Sequence, residues 1–384
     1  MKRALAVLGD AGPAQPAVPP PGKGRSKGGR RDWRWQLQHA VRTADDLARE
    51  IVLSPDELAG ARAAERSGFP LSITPYYLSL VDRRDPACPI RKQVVPHVAE
   101  SRESPGDMRD PLGEEAHEVA PGLIQRYPDR ALLFATDRCA VYCRFCTRSR
   151  LVGAGGGARS LRRLDPAFAY LREHPDVRDV IVSGGDPLAM ATDKIVAIVR
   201  ALRRIPTVET IRLATRVPVA LPQRITPELV RALRPHHPLW VMTHFNHPKE
   251  LTDASRGACR RLADAGFPVM NHTVLLRGVN DDARVLTDLF RRLVRERVRP
   301  YYLLQADPVR GTGHLRTPLS TGIRLMGELQ GRLSGIALPK LIVDTPGGMG
   351  KVPVGPDYVV ERAPGRTRFR THRGVEVDYL DPPE

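Results

Sequence analysis

The hydrophobic rhythm of the chain changes at about residue 126. Before it, in AVRTADDLAREI and SPDELAGARAAERSG, apolar side chains recur three and four residues apart among charges, the spacing of amphipathic helices. Ser54, just ahead of Pro55, is the expected N-cap of the second. The chain then loosens into a Pro- and acid-rich connector up to about Gly122. After Arg126 come seven short apolar runs: ALLFAT, DVIVSGGD, TIRLATR, LWVMTHF, VMNHTVLL, YYLLQAD and LIVDTPGG. Helical patterns such as KIVAIVRALRRI, PELVRALR, ACRRLADAG and ARVLTDLFRRLVRERV fill the gaps. Strand then helix, repeated, predicts an α/β fold, a partial TIM-type (β/α)6 barrel with a parallel sheet. In such folds function gathers at the C-terminal strand ends. The sequence puts Cys139, Gly184-Gly185-Asp186, Arg216, His244, Asn271, Asp307 and Asp344 there.

The pattern divides the chain into a basic Pro/Gly-rich tail over 1–31, expected to be disordered, and an N-terminal helical region with its connector over 32–122. The partial barrel follows over 123–335, then a C-terminal segment over 336–384 with a Gly-rich lysine loop and a short exposed tail. No apolar run approaches the ~18 residues of a membrane span. The opening MKRALAVLGD loses its apolar stretch at Asp10, too early for a secretory signal, so a cytoplasmic location is expected. The net charge of +17 is carried by Arg scattered through every segment and not by a clustered basic face, so nucleic acid is not an expected partner. Five Cys, an odd and low number, argue against a disulfide framework.

Three of those five form Cys139-Ala-Val-Tyr-Cys143-Arg-Phe-Cys146, where the first barrel strand opens into a loop. Three thiolates suit a four-iron cubane with one iron left open, whereas structural zinc is closed by four ligands. One βα unit later stands Ser183-Gly184-Gly185-Asp186-Pro187, whose glycines would let main chain approach a ligand. A second signal is Asp344-Thr-Pro-Gly-Gly-Met-Gly-Lys351, a Gly-rich loop delivering one of the eight Lys. A reachable primary amine there suits an imine with pyridoxal phosphate. Arg126, Arg130 and Arg216 are the candidates to converge on its phosphate with bidentate geometry. Asp307 and Asp344, acids at neighbouring strand ends, would repel one another unless a cation sat between them, which favours a basic substrate.

With these motifs, and with DWRWQLQ, TPYYLSL, RYPDRALL, LPQRITPEL, THFNHP, LLRGVND and RPYYLLQAD, the chain resembles the lysine 2,3-aminomutases of the radical S-adenosylmethionine superfamily from about Asp32 to about Tyr358. The resemblance implies a [4Fe-4S] cluster on Cys139, Cys143 and Cys146, with S-adenosylmethionine on its open iron. Contacts to that ligand are implied at Gly184, Gly185, Asp186, His244 and His272, and Lys351 is implied to carry pyridoxal 5′-phosphate. Arg148 would hold the substrate α-carboxylate, and Asp307 and Asp344 the distal ammonium of lysine. The implied reaction moves the α-amino group of L-lysine to the β-carbon, fed by an electron donor such as flavodoxin or ferredoxin, in a homo-oligomer. Three departures stand out. Cys259 matches a zinc ligand of the family's prototype, but no Cys follows it, so zinc is not expected. An Asn-Gln pair reads Asn271-His272, and a Tyr before the substrate acid is Leu304. Open alternatives are an aminomutase for arginine or glutamate, a radical enzyme modifying RNA or protein, and a non-enzymatic iron–sulfur module that would not need Lys351.

Overall fold

The computed structural model describes residues 29–66, 69–153 and 157–382. Residues 1–28 of the expected disordered tail lie outside the described residues, and Gly29–Arg31 form a 3-10 turn.

One ten-stranded sheet dominates the fold, its strands in chain order from edge to edge. It begins with an antiparallel pair, β1 (Glu118–Ala120) and β2 (Leu123–Tyr127), and β2 pairs antiparallel with β3 (Arg130–Thr136). From β3 the sheet runs parallel through β4 (Asp179–Gly184), β5 (Thr210–Ala214), β6 (Leu239–Thr243), β7 (Val269–Leu275), β8 (Val298–Gln305) and β9 (Lys340–Asp344). The antiparallel β10 (Lys351–Val354) ends it. All seven apolar runs are strands, and the sheet is open: among the described residues β1 and β10 are its two edges.

Helices fill the crossovers, and several are started by a side chain that satisfies a free amide. Thr226 Oγ1 accepts from Leu229 N at 3.1 Å, and Asp282 Oδ1 accepts from Arg284 N at 2.8 Å. The helix Ala283–Arg295 buries Leu286, Leu289, Phe290 and Leu293, one stripe at helical spacing. Each such side chain contributes about 1.5–3 kcal/mol. On the strands the fully buried positions alternate with partly exposed ones: in β7 Val269, Asn271, Thr273 and Leu275 are buried, while Met270, His272 and Val274 are not. Leu132 on β3, Ile181 on β4 and Arg212 on β5 form one register row of such partly exposed residues. That row lines an open lumen.

The N-terminal region holds the helices Trp33–Gln38, Ala44–Glu50, Pro55–Arg66 and Pro75–Leu78. Ser54 does cap the third: its Oγ accepts from Glu57 N at 3.2 Å, and Glu57 Oε2 accepts from Ser54 N at 2.8 Å. Thr74 Oγ1 donates to Ala220 O at 2.8 Å and Tyr77 Oη to Glu250 at 2.6 Å, so this region covers the ends of β5 and β6. The C-terminus differs from the expected short tail. It is a second sheet, β11 (Val359–Ala363), β12 (Arg366–Arg370) and β13 (Glu376–Leu380), antiparallel throughout. Arg366, Arg368 and Arg370 on its middle strand pair with Glu361, Asp378 and Glu376 on the flanking ones. Charge pairing across strands replaces the apolar burial that the sequence pattern lacks there.

Candidate active site

At the upper rim, the three-cysteine loop leaves β3 and is held by the N-terminal region. Tyr142 N donates to Ser72 O and Arg144 N to Gln93 O, both at 2.9 Å, while the buried Arg144 guanidinium donates to Glu100 Oε1 at 2.9 Å. Cys146 N closes a turn onto Cys143 O at 3.0 Å. Burial pushes the Cys139 thiol well up and the Cys146 thiol to about 11, so both are protonated until a metal takes them. Among the described residues no group of three or more His, Cys, Asp or Glu is placed to hold a single metal ion. A cubane asks something else of the loop, one thiolate for each of three irons, and the loop carries three cysteines.

Gly184 and Gly185 meet this loop directly. Gly185 N donates to Thr136 O at 2.5 Å and Asp186 N to Arg138 O at 2.7 Å. A Cβ on Gly184 would lie 2.4 Å from Thr136 O, and one on Gly185 2.5 Å from Arg138 O. The glycines therefore admit the cysteine loop, where the sequence placed a ligand. The Asp186 carboxylate is likewise engaged by protein: Oδ1 accepts from Leu188 N at 3.0 Å and Thr215 Oγ1 at 2.6 Å, Oδ2 from Arg216 N at 2.7 Å. It ties β4 to β5, and burial raises its pKa to about 6.

Arg216 does not line the cavity around Lys351. Its Nη1 donates to Cys143 Sγ at 2.6 Å, and its Nη2 to Tyr77 Oη at 3.0 Å, Gln93 Oε1 at 2.5 Å and Glu250 Oε1 at 2.8 Å. Standing just past β5, it turns toward the cysteines, so the phosphate role read from the sequence does not match its contacts. Asn271 is also spent on structure, exchanging hydrogen bonds with Phe245 N and O. His244 and His272 differ: each has a buried Nε2 that meets no hydrogen-bond partner among the described residues. Burial holds both imidazoles neutral, His244 well below the usual range and His272 at about 3, the latter helped by Lys351 and Arg212. Two orphaned ring nitrogens are what a polar ligand such as S-adenosylmethionine would complete.

Below the rim lies a cavity lined by Lys351, Asp344, Arg126, Arg130, Arg212, Arg148, His272 and Tyr302, closed by Ile124, Leu132 and Ile181. Lys351 is the first residue of β10, directly after the tight glycine hairpin, and its amide donates to Tyr127 Oη at 2.8 Å. A Cβ on Gly348 would sit 2.5 Å from Leu112 O, so only glycine lets this hairpin pack against the 111–113 turn. Lys351 Nζ donates to Asp344 Oδ2, and Arg126 Nη2 to Asp344 Oδ1 at 2.5 Å.

Three guanidiniums here are clamped on one edge by a carboxylate. Arg130 Nε lies 2.9 Å from Asp129 Oδ1, Arg212 Nε 2.9 Å from Asp179 Oδ1, and Arg148 Nε 2.9 Å from Glu114 Oε1. Such a clamp leaves the Nη1/Nη2 edge for a second anion. Fixed cations, one amine and an aromatic wall fit a phosphorylated aldehyde cofactor such as pyridoxal phosphate. Asp307, just beyond β8, has no side-chain donor among the described residues. Burial first and Asp344 second push its carboxyl up to about 7, against Lys351, Arg126 and Arg148.

Comparison with known proteins gives this arrangement a family. A radical SAM superfamily profile matches residues 133–290, and a lysine-2,3-aminomutase profile matches residues 326–384. The L-lysine 2,3-aminomutase of Clostridium subterminale is 46% identical over 351 residues, 91% of this chain and 84% of that protein. The chain belongs to the lysine 2,3-aminomutase family. A second L-lysine 2,3-aminomutase, from Fusobacterium nucleatum, is 47% identical across 91% of this chain and 82% of its own. The family also holds a glutamate 2,3-aminomutase, from Clostridioides difficile, 39% identical over 92% of this chain and 84% of its own. Membership makes the chain an isomerase of the radical SAM class with an iron–sulfur cluster, S-adenosylmethionine and pyridoxal phosphate as cofactors, acting on a small amino acid. No helix among the described residues is long and apolar enough to cross a membrane.

For an aminomutase site, sequence reasoning missed Arg212, Tyr127, Tyr302 and Glu114. Arg212 had a signal: in Thr210–Ala214 it alternates with buried Ile211 and Leu213, so it faces the lumen. Tyr302 is offset from position 304, where a Tyr had been sought, and its ring stacks on His272 at 5.4 Å.

Proposed function

We propose that this chain is an L-lysine 2,3-aminomutase, converting L-lysine to β-lysine. One observation carries the choice of lysine: Asp307, just beyond β8, and Asp344, at the end of the neighbouring β9, lie close enough that Asp344, after burial, raises the Asp307 carboxyl. A distal ammonium between them relieves that repulsion. A glutamate side chain would add a third carboxylate.

When bound, the reduced cluster with S-adenosylmethionine supplies a hydrogen-abstracting radical, and pyridoxal phosphate supplies the π-system across which nitrogen moves. Cys139, Cys143 and Cys146 hold the cluster, with Arg216 donating to the Cys143 sulfur. His244 and His272 offer their open nitrogens, and the Gly184–Asp186 turn braces the loop. Lys351 anchors the pyridoxal phosphate, and Arg130 and Arg212 present their free edges to its phosphate, with Arg126 beside them on Asp344. Arg148 binds the substrate α-carboxylate. Ile124, Leu132 and Ile181 keep water away, and the whole arrangement contributes by positioning.

A low-potential electron carrier such as a flavodoxin or ferredoxin supplies the electron, in the cytoplasm. The protein works as a homo-oligomer, and Val377 and Tyr379, exposed on one face of β13, offer apolar surface for such a contact. The deciding experiment is an anaerobic assay of reconstituted enzyme against lysine, arginine and glutamate, with product identification. Faster turnover of glutamate or arginine than of lysine would reject the lysine assignment.

A further inference from the structure

Glu114 lies in the loop just before β1, outside every motif, yet it is almost wholly buried and lines the lysine cavity. Both its oxygens face Arg148. Arg148 Nε lies 2.9 Å from Oε1 and 3.2 Å from Oε2, and Nη2 lies 2.7 Å from Oε1. The pair is a side-on fork that uses the Nε/Nη2 edge of the guanidinium. At its far end Nη1 donates to Ser183 Oγ at 3.2 Å, next to the Gly184–Gly185 turn. The plane of Arg148 is thereby fixed at two points.

A guanidinium offers two bidentate edges, and a buried one swings to whichever anion it finds. With one edge committed to Glu114, only the Nη1/Nη2 edge is left for an incoming carboxylate. Glu114 also sets its carboxylate directly against this largely enclosed guanidinium. Its other neighbour, Arg150, lies 3.4 Å away and is shared with Asp110 and Glu115. Glu114 is therefore tied chiefly to Arg148. Arg130 on Asp129 and Arg212 on Asp179 repeat the device around the same cavity.

We infer that Glu114 is a positioning residue for substrate binding, presenting the outer edge of Arg148 to the α-carboxylate of the amino acid. The inference rests on the proposed reading of Arg148 as the carboxylate-binding residue. Because an α-carboxylate is common to all candidate amino acids, Glu114 sets how tightly any of them is gripped, not which side chain is chosen.

The test compares four reconstituted holoenzymes, parent, Glu114→Gln, Arg148→Lys and the double variant, with iron and pyridoxal phosphate content checked in each. Lysine KM and kcat are read together. Glu114→Gln is expected to raise KM about tenfold or more while changing kcat less than about threefold. Added to Arg148→Lys, whose ammonium has no edge to orient, it is expected to raise KM less than about twofold. A parent-like KM in Glu114→Gln, or an equal rise in both backgrounds, would overturn the inference. Arg148→Lys with the parent's KM would instead remove the reading of Arg148 itself. If Glu114→Gln fails to take up its cofactors, Glu114→Asp takes its place, with a smaller KM rise expected and the same dependence on Arg148. Loss of that dependence counts against the inference.

Discussion

Lys351 and Asp344 are direct cross-strand partners at the mouth of the β9–β10 hairpin, and the Lys351 amine donates to Asp344 Oδ2. The same carboxylate accepts from Arg126 on its other oxygen, so one acid holds two cations of the cavity. This complicates the simple picture of Asp344 as half of an ammonium receptor. Each Asp344 oxygen accepts one hydrogen bond from a protein cation, and a substrate cation has to share or displace those contacts. Among the described residues Asp307 has no such partner and is the freer of the two acids.

Asp344→Ala therefore strands two cations besides losing a substrate contact. Breaking a buried pair by removing one member costs about 3–5 kcal/mol, and a loss of that size in transition-state stabilisation is about two to four orders of magnitude in kcat/KM. Product formation from lysine is the measurement, and a parent-like rate in Asp344→Ala would refute the role.

Lys351 is expected to carry the pyridoxal phosphate. Borohydride treatment of the yellow holoenzyme should fix a pyridoxyl group covalently, and peptide mapping should find it on Lys351 alone. A label on any other of the eight Lys would exclude the hairpin assignment.

Arg212 and Arg216 are four residues apart and should fail differently. Arg212→Ala opens the lysine cavity and is expected to weaken pyridoxal phosphate affinity about tenfold or more, leaving the cluster's reduced spin signal intact. Arg216→Ala removes the donor to Cys143 Sγ and the partner of Glu250. It should shift the cluster's midpoint potential and leave pyridoxal phosphate binding near the parent's. Equal loss of pyridoxal phosphate in both variants would restore Arg216 to the phosphate site.

These two arginines also show where the sequence was legible. Parallel strands packed beneath helices need nearly continuous apolar runs, so β3 to β9 could be read directly. The cysteine loop and Lys351 were likewise visible, because their residue types are rare in this chain. Arg216 was drawn toward the phosphate because it stands at a strand end, whereas the two-residue period of β5 had already put Arg212 on the lumen face. Glu114 left no local trace: its partner is 34 residues away, and only the folded chain joins them. The β11–β13 sheet was missed because its strands carry charge where an apolar face was sought.

Asp307 gives the last prediction, a pH dependence with a definite sign. Its carboxyl is raised to about 7 by burial and then by Asp344, from an unfolded value of about 3.9. Below about 7 the free enzyme holds it protonated, and an ammonium must displace that proton to bind. Above it the carboxylate is ready. Lysine kcat/KM should thus fall up to tenfold per pH unit as pH drops below about 7, and level off above it, while the lysine ammonium stays charged to about 10. Stability should run the other way. Between about 4 and 7 the folded state binds a proton that the unfolded state has lost, so this group's contribution declines as pH rises through that window and is absent above it. Asp307→Asn, neutral throughout, should melt a few degrees above the parent at pH 8, with the difference shrinking toward pH 5. It should also lose most lysine turnover. A flat kcat/KM profile from pH 6 to 8, or a lower melting temperature for Asp307→Asn at pH 8, would show that Asp307 is not the strained acid of this site.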